Sequence, residues 1–353
     1  MPVALIAGAT GLVGKHIAEL LASQPGWRCI GLGRSRPQGP AAMHLDEFVA
    51  ADLADAGCTR QLGGRLSEAT HVFYLSRMLG SGYHIPIDEN IAMLGRLLDA
   101  LEQADKLEHV QIMHGMKWYG SHLGAFPTPA RESDKPSDSP SFYQGQRQLL
   151  TERRQGRKWT FSTLRPHCVS GVATGSPSNL MLGLGVYGAL MREIGQPLRY
   201  PGSARAFEAR LTYTDAGLLA RAMYWIATTP EAADQDFNVA NGDEFSWNEL
   251  WPALADYFGV AAGPPGIADF VPYMHELEPA WRRLCQRHGL QDRDYASLVD
   301  WSFVRNSLAL EWDQVMSTDK LARFGFPDQV SSPAMVLRIL DEYRGLGLIP
   351  PKS

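Results

Sequence analysis

The sequence predicts an α/β protein, with a doubly wound parallel sheet followed by a smaller, mostly helical C-terminal lobe. Short apolar runs alternate with stretches whose apolar residues repeat at helical spacing, which is typical of a parallel sheet covered on both faces. The 353 residues are 45% hydrophobic and 20% charged, an ordinary globular composition. At roughly 150 residues per domain, this length predicts two domains or one large α/β unit with an appendage.

The first half of the chain carries the alternation. Helical spacing of apolar residues predicts helices over residues 12–23 and 91–101. A stretch rich in proline and serine, residues 124–141, predicts a long surface loop. Short apolar runs predict buried strands over residues 3–7, 28–32, 47–51, 71–75, 110–113 and 161–164.

Past residue 195 the alternation fades and helical patterns dominate. Thr214-Asp215 predicts the start of a helix that ends near Ala227, and Trp247 to Phe258 predicts a second helix. Residues 260–313 combine aromatic residues and prolines with further helical patterns. The later part of the chain is therefore expected to be mostly helical.

These patterns divide the chain into two parts. We expect residues 1–175 to form the sheet domain, joined by returning strands from about 205–245, and residues 176–353 to form the helical lobe. The longest apolar stretch, Leu180 to Met191, is shorter than the roughly 20 residues that a membrane span needs. The N-terminus lacks the basic region and cleavage site of a signal peptide, so we expect no such leader.

Charge and cysteine content narrow the function classes. A formal net charge of -5 argues against a broad basic face for nucleic acid. Four scattered cysteines are too few for a disulfide framework, which favours a reduced, cytoplasmic compartment. The 10 histidines are dispersed, with no His-x-x-x-His pair, so we predict no metal site. We expect neither a nucleic-acid nor a membrane partner, and the sequence leaves a homodimer open.

A glycine motif lies between the first predicted strand and the first predicted helix. It reads Gly8-Ala-Thr-Gly11-Leu-Val-Gly14, and this context is typical of a Rossmann-type dinucleotide site. The first glycine permits the tight turn, the second lets the backbone approach a pyrophosphate, and the third lets helix and strand pack closely. The helix N-terminus attracts the anion. The predicted contact residues are Gly8, Thr10, Gly11, Leu12, Val13 and Gly14.

Basic residues after the second predicted strand bear on the identity of the cofactor. NAD-binding domains usually place Asp or Glu there for the ribose diol, whereas this chain has Arg34-Ser35-Arg36. Two guanidinium groups and a hydroxyl suit a 2′-phosphate, so we predict NADPH as the cofactor. Asp52-Leu53 follows the third predicted strand, where such domains contact the adenine.

The glycine motif resembles that of extended and atypical short-chain dehydrogenase/reductases, whose usual catalytic signature is Tyr-x-x-x-Lys. That signature is absent, because Tyr143 is followed four residues later by Arg147. A lysine instead follows the fifth predicted strand, in Gly115-Met-Lys117-Trp-Tyr119-Gly120. An ordinary ketoreductase or nucleotide-sugar epimerase is therefore disfavoured.

Several segments resemble the progesterone 5β-reductase/iridoid synthase-like enzymes, an atypical branch of that superfamily. Gly115-Met-Lys117-Trp-Tyr119 resembles their Thr-Gly-x-Lys-His-Tyr, and Phe142-Tyr143 resembles their Asn-Phe-Tyr-Tyr. The resemblance spans about residues 3–350. Later matches are Leu164-Arg165-Pro166, Ser178-Asn179-Leu180-Met181, Leu198 to Ser203, and Phe237 to Trp247, which reads Phe-Asn-Val-Ala-Asn-Gly-Asp-Glu-Phe-Ser-Trp.

The resemblance implies NADPH-dependent reduction of an activated C=C bond in an α,β-unsaturated carbonyl compound. It implies that Tyr143 donates to the carbonyl oxygen, where negative charge develops. Lys117 would lower the tyrosine pKa, hold the nicotinamide ribose, or both. Arg165-Pro166 is expected to end the sixth strand and order a turn beside the nicotinamide, and the α-carbon to take its proton from solvent.

The substrate pocket is predicted from the same segments. His114, Trp118 and Gln144 depart from the Thr, His and second Tyr of the family pattern, which bears on substrate shape more than on chemistry. The alternative for Ser178, Met181 and Tyr187 is packing in the core, and for Tyr119 it is packing under the proline-rich loop. For His114 the alternative is a hydrogen-bonded structural role. The expected lining residues are His114, Trp118, Tyr119, Ser178, Met181 and Tyr187.

Two other functions stay open from the sequence. A carbonyl reductase would use the same Tyr143 and Lys117 for C=O reduction, and a non-catalytic NADP(H)-sensing protein would only bind the cofactor. Retention of both residues favours an enzyme over a sensor.

Overall fold

The computed structural model describes the chain as two compact units. The described residues are 1–37, 44–62, 64–80, 85–102, 104–175, 178–291 and 294–352. One unit, here called the sheet unit, consists of Met1–His167, Ala216–Ala240 and Met316–Asp328. The other, here called the helical unit, consists of Cys168–Asp215, Asn241–Val315 and Gln329–Ser353.

Strands and helices alternate along the sheet unit, and helices dominate the helical unit. In chain order the strands are β1 (Val3–Ala7), β2 (Arg28–Gly33), β3 (Glu47–Ala50), β4 (His71–Tyr74), β5 (His109–Met113), β6 (Thr160–Pro166), β7 (Val169–Ser170), β8 (Leu198–Arg199), β9 (Thr214–Asp215), β10 (Asp236–Val239) and β11 (Ala262–Gly263). The helices are α1 (Leu12–Ala22), α2 (Cys58–Leu62), α3 (Ile87–Ala100), α4 (Phe142–Arg154), α5 (Leu180–Glu193), α6 (Ala204–Glu208), α7 (Ala216–Thr228), α8 (Trp247–Phe258), α9 (Phe270–Glu276), α10 (Glu278–His288), α11 (Tyr295–Leu298), α12 (Trp301–Ser307), α13 (Asp319–Arg323) and α14 (Ser332–Gly345). Short 3₁₀ helices span Met116–Tyr119 and Pro230–Ala232.

The predicted doubly wound parallel sheet is confirmed. Within the described residues, a 7-stranded sheet has the order β10-β6-β5-β4-β1-β2-β3, and its neighbouring strands are parallel. Helix α1 packs on α7, and α3 packs on α2 and α4. Because all the strands run the same way, their carboxyl ends meet at one edge. The strand order reverses between β1 and β4, and ligands of open α/β sheets bind at such a switch point.

The strand predicted over residues 161–164 is longer than expected. β6 continues through Arg165 and ends at Pro166, two residues later than predicted, and a bend follows at residues 167–168. The strand extends this far because β10 pairs with β6 as far as Val239 opposite Pro166. Proline has no N–H to donate, and it is tolerated here as the last paired residue of its strand.

The helical unit has an aromatic core. Helix α5 is buried from Leu180 to Met191, and its glycines let other helices approach closely. A Cβ on Gly188 would lie 2.2 Å from the Phe258 ring of α8. Trp247 and Trp251 lie in the same core. No helix among the described residues is long and apolar enough to cross a lipid bilayer.

Polar side chains line part of the buried sheet. His109 Nδ1 lies 2.9 Å from Thr160 Oγ1, and its Nε2 lies 2.9 Å from Ser162 Oγ. Burial, together with nearby His71, lowers the pKa of His109 to about 3. The folded protein therefore keeps this imidazole neutral at pH values where an unfolded chain would protonate it.

We predict that His109 makes the protein less stable in mild acid. Between pH 7.5 and pH 5 the unfolded state takes up a proton that folded His109 does not accept. The free energy of unfolding should therefore fall by about 2 kcal/mol from this residue alone. In urea titrations at both pH values, His109→Gln should reduce the difference between the two by that amount. His288→Gln, at an exposed site on α10, should leave the difference unchanged, and an unchanged difference in His109→Gln would contradict the prediction.

Candidate active site

The turn between β1 and α1 forms a cradle in which only glycine fits at two positions. Gly8 has a φ of +91°, and a Cβ there would lie 3.0 Å from the carbonyl carbon of Leu75, just after β4. A Cβ on Gly14 would lie 2.2 Å from the Gly8 carbonyl oxygen. Thr10 and Gly11 are exposed. The backbone is therefore open to an anion at the N-terminus of α1.

The first turn of α1 leaves its donors available. Leu12 and Val13 are half-buried there, and the N–H groups of a first helical turn have no acceptor within the helix. Gly11 precedes the helix without a side-chain cap, and the first turn holds no acidic residue. These features fit a bound phosphate and its negative charge.

Arg34, Ser35 and Arg36 follow β2 at the same edge of the sheet, and all three are exposed. Within the described part of the chain, no carboxylate pairs with either guanidinium. After β3, Asp52 is exposed and accepts the Ala54 N–H at 3.0 Å through Oδ1, whereas Leu53 is buried. The sheet edge therefore presents two unpaired cations where a 2′-phosphate is expected.

Tyr143 lies in the first turn of α4 with a free hydroxyl. A capping box formed by Ser141 and Gln144 starts the helix. The Tyr143 oxygen lies 3.1 Å from the position that a Cβ on Gly115 would take, so a side chain at Gly115 would displace the phenol. Among the described residues, no hydrogen bond engages this hydroxyl. Burial raises the pKa of Tyr143 although the charge of Arg77 lowers it, so the group is a proton-bearing donor at neutral pH.

Lys117 lies after β5 on the 3₁₀ helix Met116–Tyr119 and is exposed. Partial desolvation of its amine and the nearby charge of Arg77 lower its pKa. In the described ranges no carboxylate pairs with it. Arg77 thus adds positive charge near both Tyr143 and Lys117.

Arg77 is a candidate that the sequence patterns missed. It follows β4 at the switch point and is exposed. Buried Asn90 accepts the N–H of Met78 at 2.8 Å and donates to its carbonyl at 3.1 Å. Gln146, on the helix that carries Tyr143, donates to the Asn90 carbonyl at 2.9 Å. These bonds connect the segment that carries Arg77 to α4. The sequence signal that could have identified Arg77 was a basic residue directly after a strand at the switch point.

His114, Trp118 and Arg165 stack beside Tyr143. The His114 ring lies 5.5 Å from the Trp118 ring with 8° between their planes, and 4.9 Å from the Tyr143 ring. The Arg165 guanidinium lies 4.1 Å above the Trp118 ring. The structure thus brings together four residues that the sequence analysis singled out: His114, Trp118, Tyr143 and Arg165.

The hydroxyl of Tyr119 is engaged in a buried polar network. It donates to Asn238 Oδ1 at 2.6 Å and accepts from Arg165 Nη1 at 3.1 Å. Arg165 also pairs with Asp236 at 3.0 Å, and Arg147 with the same carboxylate at 3.1 Å. Burial alone would raise the pKa of Asp236, but Arg165, Thr163 and Arg147 together bring it below its usual value. The Arg165 side chain therefore holds Tyr119 and Asp236 together, a role that the sequence analysis did not predict for it.

The remaining predicted pocket residues belong to the helical unit. Ser178 is half-buried just before α5, and Met181 and Tyr187 lie in the aromatic core. The Tyr187 hydroxyl donates to the Arg199 carbonyl at 2.8 Å. Their assignment to a substrate pocket stays a prediction. The described residues contain no group of three or more His, Cys, Asp or Glu that could hold a metal ion.

Comparisons with known proteins find relatives over nearly the whole chain. A family model described as "PRISE-like Rossmann-fold domain" matches residues 54–319. A 3-oxo-Delta(4,5)-steroid 5-beta-reductase of Arabidopsis thaliana is 30% identical, covering 99% of this chain and 93% of that protein. An (S)-8-oxocitronellyl enol synthase of Nepeta racemosa is 30% identical, covering 99% and 91%. Among solved structures, a putative epimerase from Burkholderia cenocepacia has a TM-score of 0.67 at 18% identity, with 98% of each chain covered. That likeness supports the fold alone.

We predict that Asp236→Asn strongly destabilises the sheet unit. The substitution leaves the Arg165 guanidinium, which is 1% exposed, without its counter-ion. Loss of one partner of such a buried pair should lower the free energy of unfolding by on the order of 3 kcal/mol. Asp99→Asn breaks an exposed pair with Arg153 and should cost under about 1 kcal/mol. Equal losses in the two variants, measured by urea unfolding, would contradict this account.

Proposed function

Because the chain belongs to the family of PRISE-like Rossmann-fold proteins, we propose that it reduces the activated C=C bond of α,β-unsaturated carbonyl compounds with NADPH. The observation that carries the proposal is the protonated hydroxyl of Tyr143, which makes no hydrogen bond among the described residues and feels the positive charge of Arg77, a cation that also acts on Lys117. The relatives named as a 5-beta-reductase and an enol synthase support an oxidoreductase of this class.

The cradle and the two arginines support NADPH as the cofactor. The backbone at Gly8, Gly11 and Gly14 would hold the pyrophosphate, and Arg34 and Arg36 would bind the 2′-phosphate. When bound, NADPH supplies a hydride from C4 of its nicotinamide to the β-carbon of the enone or enal. The absence of an acidic residue directly after β2 supports the same choice, because a carboxylate would repel the 2′-phosphate.

Tyr143 acts on the oxygen of the substrate in this proposal. As the β-carbon is reduced, negative charge builds on the carbonyl oxygen, and a donor fixed in advance at that position lowers the barrier. Tyr143 donates a hydrogen bond there, and the charges of Arg77 and Lys117 stabilise the oxyanion further. Lys117 also holds the nicotinamide ribose. The α-carbon takes its proton from solvent.

Tyr143→Phe should abolish most of the turnover and leave cofactor binding intact. The variant keeps the ring that packs on His114 and Phe142 and loses only the donor. We expect kcat with 2-cyclohexenone to fall by about 100-fold or more, with an unchanged Kd for NADPH by fluorescence titration. Tyr273→Phe in the helical unit is the matched control. Full turnover in Tyr143→Phe would contradict the assignment of Tyr143. In a separate test, an allylic alcohol detected by NMR as the wild-type product would identify the protein as a carbonyl reductase.

Replacing both Arg34 and Arg36 by serine should remove the preference for NADPH. Each charged hydrogen bond to the 2′-phosphate contributes about tenfold in affinity, so the Kd for NADPH should rise by about 100-fold while that for NADH stays constant. Arg60→Ser on α2 controls for loss of surface charge. A wild type that prefers NADH, or equal losses for both cofactors, would contradict the cofactor assignment.

A further inference from the structure

His114 is a buried polar residue whose hydrogen-bonding groups are unused. Its side chain is 4% exposed, and neither Nδ1 nor Nε2 has a hydrogen-bond partner among the described residues. The ring stacks on the indole of Trp118 and contacts the phenol of Tyr143. Two orphaned nitrogens therefore lie directly beside the hydroxyl-bearing residue of the candidate site.

An imidazole in this state destabilises the folded protein. Folding removes its bonds to water and supplies none in return. A phenylalanine would keep flat-ring contacts with Trp118 and Tyr143 without that loss. Buried polar groups in native proteins are nearly always paired, and the exceptions cluster where function requires them. The histidine at this position therefore indicates that its nitrogens are used when the site holds its ligand.

The charge state of His114 defines what it can offer. Burial and the charge of Arg165 lower its pKa to about 3. At neutral pH the ring is uncharged, with one N–H donor and one acceptor nitrogen. A neutral imidazole of this kind can donate to a carbonyl oxygen without transferring its proton.

We propose that His114 donates its ring N–H to the same carbonyl oxygen that Tyr143 serves, so that two uncharged donors bind the substrate oxygen. This inference rests on the proposed function and adds a further catalytic residue to Tyr143 and Lys117. The neighbouring indole is in the same state, because Trp118 Nε1 also lacks a hydrogen-bond partner among the described residues, so a further unpaired donor lies beside His114.

The test compares His114→Phe and His114→Gln with the wild type in the presence of NADPH. We expect His114→Phe to raise the melting temperature by about 2 °C or more, since two unpaired polar atoms are removed. Its kcat/KM for 2-cyclohexenone should fall at least about tenfold, with an unchanged Kd for NADPH. His114→Gln, which restores an N–H donor, should recover part of the rate.

Each other outcome overturns the proposal. A His114→Phe variant that is more stable and fully active would assign His114 to packing alone. A variant that is less stable or unfolded would contradict the argument from unpaired nitrogens. A variant that loses NADPH binding would place His114 on the cofactor. If the wild type binds NADPH and reduces no enone, the proposed function itself fails. That failure is seen in the wild type alone, so it is distinguished from a failure of the His114 proposal, which is seen only when the variants are compared.

Discussion

The ion pair between Arg165 and Asp236 holds the candidate site together. It joins Arg165, near the carboxyl end of β6, to Asp236, the first residue of β10, with side chains that are 1% and 14% exposed. The same guanidinium donates to Tyr119 and lies against the face of Trp118. A charge so far from water is tolerated only when it is paired. The segment that carries Lys117 is therefore locked to the sheet in one arrangement.

Asn238 extends this network to the proline-rich loop. Its N–H donates to Glu132 Oε1 at 2.8 Å, and its amide donates to the carbonyls of Ala130 and Ser317 at 3.0 and 3.2 Å. Since Asn238 also accepts from Tyr119, the loop and the 3₁₀ helix share one anchor. The segment around Asn238, which resembles the family pattern, therefore contributes to the site by positioning Tyr119 and the proline-rich loop.

Local charge at the sheet edge differs from the charge of the whole chain. The chain has a formal net charge of -5, yet Arg34, Arg36, Arg77 and Lys117 gather near the carboxyl ends of the strands without carboxylate partners in the described ranges. Such an edge attracts phosphates and stabilises a developing oxyanion. The buried groups beside it, His114 and Tyr143, stay uncharged because desolvation disfavours their ionised forms.

The sequence by itself determined the alternating strands and helices and the glycine cradle, because each depends on periodicity or spacing within a few residues. Lys117 and Tyr143 were predicted from the resemblance of their segments to a known family. The sequence did not reveal that Arg165 pairs with Asp236, that Arg77 acts on Tyr143, or that buried His114 has no hydrogen-bond partner within the described ranges. Those facts depend on which strands become neighbours and how deeply each side chain is buried. Only the tertiary structure decides them, because contacts and desolvation join residues that lie far apart along the chain.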